Sequence, residues 1–173
     1  MDWTRTVFEV IDMRSFSNLW FWIAVAVLWS SASHWVLGVP YDMIARARRH
    51  GGTAAADLDT LVHINARRIL FIGRVSGLWL TGIAAFMITA LVVLGFFYRL
   101  EFAQAVLLLF VPMTLVGLLS LRTARAIEAA ADTGPDLWRR LVRHRMAVQG
   151  LGMVSIFVTA MWGMWQNLNT AVL

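Results

Sequence analysis

Few side chains in this sequence have both the type and the setting to do chemistry, and one histidine stands apart. His34 is the only ionisable side chain inside the long apolar stretches of the chain. Ser30 lies one helical turn before it, leaving room for a flat macrocycle beside an axial imidazole. Buried ionisable groups in membrane helices are candidate functional sites, so Ser30 and His34 define a haem- or chlorophyll-type binding site as one reading. The competing reading is a neutral histidine that donates to a carbonyl or serine of a neighbouring helix. A bis-histidine haem needs a partner at the same depth, and His50, His63 and His144 all fall in polar, basic segments.

What is missing narrows the chemistry further. The chain has no cysteine, which removes thiolate clusters, Cys-type zinc sites and disulfide exchange. No aspartate or glutamate interrupts an apolar stretch, whereas proton-coupled carriers rely on such a carboxylate; a small transporter is therefore the weaker alternative. There is no HExxH, phosphate loop, GxSxG or paired-carboxylate pattern, and each of these marks a known catalytic geometry. The expectation is a protein without enzymatic activity.

Arginine is the other conspicuous residue type. All fifteen basic residues are arginine, and the net charge is +5. Arg46, Arg48 and Arg49 form one group, and Arg139, Arg140, Arg143 and Arg145 another. Both groups lie beside apolar stretches, which points away from nucleic acid. They suit anionic lipid headgroups or an acidic protein partner, since each charge near a negative membrane surface is worth about 1 kcal/mol. They also serve simply to orient the chain. Arg74 is expected to snorkel to the headgroups, with a pair to Asp42 as the alternative.

These residues must be positioned by membrane helices. At 60% hydrophobic residues, 14% charged residues and nine tryptophans, the composition lies outside the soluble range. A helix needs about 20 apolar residues to cross the bilayer. Four stretches meet that length: 19–39, 75–97, 102–121 and 146–165. The expected fold is an all-α membrane domain over 1–173, four transmembrane helices in an antiparallel bundle. Residues 1–17 read as an interfacial helix, and no cleavable leader is expected ahead of the first span. Residues 40–74 and 122–145 form helical hairpins, with Thr53 as an N-cap in the first, and Pro112 bends the third span. The two hairpins hold six arginines each. The positive-inside rule puts them in the cytoplasm and both termini outside a cytoplasmic (inner) membrane. Small residues give the helices close-packing sides: Gly73, Gly77, Thr81 and Ala85 in the second span, and Ser155, Thr159 and Gly163 in the fourth.

The stretches IDMRSFSNLW (11–20), ASHWVLGVPYDM (32–43), RRHGG (48–52) and GRVSGLWL (73–80) together resemble a family of small polytopic membrane proteins described as components of the SufBCD complex. The resemblance implies a link to iron–sulfur assembly. Without cysteine, the implied role is that of a membrane-anchored accessory rather than a cluster scaffold.

Overall fold

The computed structural model describes residues 15–171, with side chains from Phe16 to Leu168. The interfacial helix expected over 1–17 lies outside these residues apart from its last turn, a 3-10 turn at Ser15–Ser17. Helix α1 (Leu19–His34) follows, then two short strands, β1 (Trp35–Val36) and β2 (Val39–Pro40). Helix α2 (Tyr41–His50) leads into the long α3 (Gly52–Val92), which ends in a π-helical turn at Val93–Phe97. Helices α4 (Glu101–Ala130) and α5 (Gly134–Ala171) are the last described elements. Among the described residues, three helices are long and apolar enough to cross a membrane: α3 with its π turn, α4 and α5.

The first apolar stretch departs from expectation. Its helix stops at His34, and residues 35–40 form an antiparallel hairpin with Val36 opposite Val39. A two-residue hairpin turn of type I′ needs positive φ at both central positions. Leu37 and Gly38 have φ of 51° and 76°. Glycine adopts this freely and leucine does not. Burial of the Leu37 side chain and a hydrogen bond from Asn65 Nδ2 to the Gly38 carbonyl (3.3 Å) hold the turn in place. Valines on both sides favour extended backbone, and they end the helix before it completes the expected 19–39 span. At 16 residues, α1 is about 24 Å long, short of a 30 Å hydrocarbon core.

Other local details follow from the same physics. Gly51, with φ of 59°, occupies the N-cap position of α3, so Thr53 is not the cap. The π turn leaves backbone groups without regular partners. Gln104 satisfies one of them, its Nε2 donating to the Gly95 carbonyl at 2.7 Å. A Cβ on Gly95 would stand 3.0 Å from Gln104 Cγ, so the glycine lets the two segments approach without a shift of the Gln104 side chain. Pro112 lies inside α4 and has no N–H for the Leu108 carbonyl. Ser155 Oγ donates to that carbonyl from α5 at 3.4 Å.

The best-packed core sits among the polar hairpins rather than between the apolar spans. Val36, Val39, Ile44, Leu58, Leu137 and Leu141 bury their side chains together there. By contrast, only 6% of the most apolar window of α3 is buried. Side chains facing lipid tails gain nothing from being covered by other side chains, so this asymmetry is expected of a membrane protein.

Candidate functional site

The end of the molecule that carries the arginines is locked by polar contacts around that core. Asp59 Oδ2 accepts the Gly134 N–H at 3.0 Å, and the His63 ring bonds the Asp132 carbonyl at 2.9 Å. Both contacts tie α3 to the turn between α4 and α5. Arg140 pairs with the Asp132 carboxylate across the same turn. Arg145 joins two further elements: its guanidinium carbon lies 3.6 Å from the centroid of the Tyr41 ring, and its Nε donates to the Ser33 carbonyl at 3.2 Å. One side chain thus holds the end of α1 and the start of α2 against α5. A buried His144 is hydrogen-bonded to Thr123 of α4 at 3.0 Å, and desolvation lowers its pKa below the ordinary histidine value.

Between the end of α2 and the first turns of α5 lies an open groove of about 830 Å³. Arg48, Arg139, Arg140, Arg143, Asp132 and Trp138 are among the residues lining it. Asp132 neutralises Arg140 and Asp136 neutralises Arg139. Arg48 and Arg143 are exposed and have no acidic partner among the described residues. Arg46 and Arg49 are also exposed but do not line this groove. The second arginine group therefore divides by role: Arg139, Arg140 and Arg143 face the groove, while Arg145 secures the fold. Arg74 forms a long, exposed ion pair with Glu128 of α4 (3.7 Å), so the partner across the helices is Glu128 rather than Asp42.

His34 is the last residue of α1, exposed, with its ring edge-on to Trp35 at 5.7 Å. Ser30 is exposed one turn earlier. The other histidines lie elsewhere: His50 ends α2, while His63 and His144 are engaged as described. Among the described residues, no three of His, Asp and Glu gather as a metal site.

The small residues expected to pack the helices separate in the same way. A Cβ on Gly73 would come 2.9 Å from Leu121 Cδ1, and one on Gly163 would come 3.1 Å from Phe16. Ser155 and Thr159 are buried, with Thr159 donating to the Ser155 carbonyl at 2.8 Å. Gly77 has no neighbour within 4 Å, and Thr81 and Ala85 are exposed. Gly152, absent from the expected set, packs most tightly of all, with Trp29 Cε3 2.7 Å from where its Cβ would be.

Several organising residues escaped the sequence reading. Asp59, Asn65, Gln104 and Asp132 act across long sequence separations, which periodicity does not report. Only the hairpin left a signal, the Leu-Gly pair between valines at 36–39. Comparisons with protein-family models, with curated proteins and with solved structures find no match to this chain.

Proposed function

We propose that this protein is a non-enzymatic accessory of the cytoplasmic membrane that docks a partner on its arginine-bearing end. One observation carries the reading: both arginine-rich hairpins fold around a single buried core and leave Arg48 and Arg143 free beside an open groove. Basic residues beside apolar spans orient helices, but orientation alone needs no folded core outside the bilayer. The resemblance noted above would make the partner an iron–sulfur assembly complex.

In this reading four segments cross the membrane antiparallel. Support comes from the order of contacts. Trp29 meets Gly152 while Phe16 meets Gly163, so α1 and α5 advance in opposite directions. Ser155 meets Leu108 and Trp162 meets Gln104, which reverses α4 against α5 as well. For α1, about 24 Å of helix is accommodated by local thinning of the bilayer, at a cost of a fraction of a kcal/mol per Å. The arginine hairpins then face the cytoplasm, and Ser17 and Arg99 lie on the other side.

Crosslinking with mass spectrometry on native membranes tests the role. Reproducible crosslinks from the 40–74 and 122–145 hairpins to one partner are expected. No reproducible partner at either hairpin would end the proposal.

A further inference from the structure

Resting on the membrane placement just proposed, we infer that the groove between α2 and α5 receives an acidic segment of a protein partner, with Arg48 and Arg143 as its primary anchors. Charge comes first. Four arginines and two aspartates line or rim the cavity, and the aspartates are already committed to Arg139 and Arg140. Two cations are left over, one on each of the two helices that line the groove. Arg48 comes from α2 and Arg143 from α5, so an occupant holding both must lie across the groove. Trp138, Val142 and Pro135 form part of the same lining, offering apolar contact to the stem of a bound segment. A volume of about 830 Å³ is in the range of a ligand-sized cleft, room for several side chains.

Depth decides between a lipid and a protein. Taking Met146 as the first residue inside the bilayer, a rise of about 1.5 Å per residue puts Arg143 roughly 4 Å outside the hydrocarbon. By the same measure Arg139 stands roughly 10 Å out and Asp136 roughly 15 Å. The headgroup layer is only about 5–7 Å deep. A lipid phosphate meets the Arg143 end of the groove and falls short of the rest. Helix α2 rises beside α5, since Tyr41 lies under Arg145 and Arg48 lines the groove with Arg139. Arg48 is therefore also above the headgroups. Carboxylates on a polypeptide reach both levels at once.

The test uses the full chain purified in a neutral detergent. A labelled peptide of alternating glutamate and serine is titrated by fluorescence anisotropy, with a lysine–serine peptide as control. Nanodiscs of phosphatidylglycerol and of phosphatidylcholine serve as the lipid probes. Saturable binding of the glutamate peptide is expected, abolished near 1 M salt, where the screening length falls to about 3 Å. Exposed ion pairs are worth about 0.2–1 kcal/mol, so R48Q and R143Q should each weaken binding about 1.4- to fivefold. R49Q removes the same charge outside the groove and should leave binding unchanged.

Absence of peptide binding overturns the inference, as does equal weakening by R48Q, R143Q and R49Q, which would signal net charge alone. Preference for phosphatidylglycerol that depends on Arg48 and Arg143, without peptide binding, would give the groove to lipid instead. Native-membrane crosslinks that persist while the peptide fails would remove this site and leave the accessory role standing.

Discussion

Arg145 shows how much one side chain contributes at the edge of the proposed bilayer. Its planar guanidinium lies over Tyr41 while its Nε reaches the Ser33 carbonyl. A lysine keeps the charge but loses the fork and the stacking. R145K should therefore preserve orientation yet lower stability by about 1 kcal/mol, the usual worth of a cation–π contact of this kind, as read by thermal unfolding in detergent. His144 makes a second prediction. Its folded pKa is lowered by desolvation, so between that value and about 6.5 the unfolded chain binds more protons than the folded one. Stability should be flat above about pH 6.5, fall as pH drops below it, and level off once the folded imidazole is protonated too. H144Q should remove this slope relative to the parent; an identical pH profile in the two proteins would contradict the assignment.

Among the elements, the apolar helices separate into those that pack and one that meets lipid. A methyl group at Gly152 collides with the Trp29 ring, whereas one at Gly77 meets nothing within 4 Å. G152A should cost about 1–3 kcal/mol by overpacking. G77A should be neutral or gain up to about 1 kcal/mol from helix propensity. Denaturant titration of the two variants checks the contrast. The hairpin predicts a third loss: G38A places a Cβ at positive φ and 3.2 Å from Asn65, at a cost of about 1 kcal/mol or more.

These elements also mark what the sequence made legible. Apolar length and composition expose α3, α4 and α5, because a bilayer imposes one simple requirement on each span. The same rule overran α1, where length says nothing of the valine-flanked Leu37–Gly38 turn that ends it. The Gly73 to Ala85 ladder was visible as spacing, but spacing does not say which face meets a partner; Gly73 packs on Leu121 of α4, while Gly77 has no neighbour within 4 Å. The groove was half visible. Its arginines stood out by composition and the Asp136–Arg139 pair is local to α5, while Asp132 reaches Arg140 only through the turn that the fold creates.

For the molecule as a whole, everything proposed depends on sidedness. The two hairpins and their core must occupy one face of the membrane, with Ser17 and Arg99 on the other. The natural chain has no cysteine, so single cysteines at chosen positions report without background. S17C, H50C and R99C would each be exposed to a membrane-impermeant maleimide in intact cells and in inverted vesicles. The account predicts that S17C and R99C label from outside intact cells, and that H50C labels only in inverted vesicles. Labelling of H50C from the same side as R99C would contradict it outright, and S17C on the side of H50C would show that α1 does not cross.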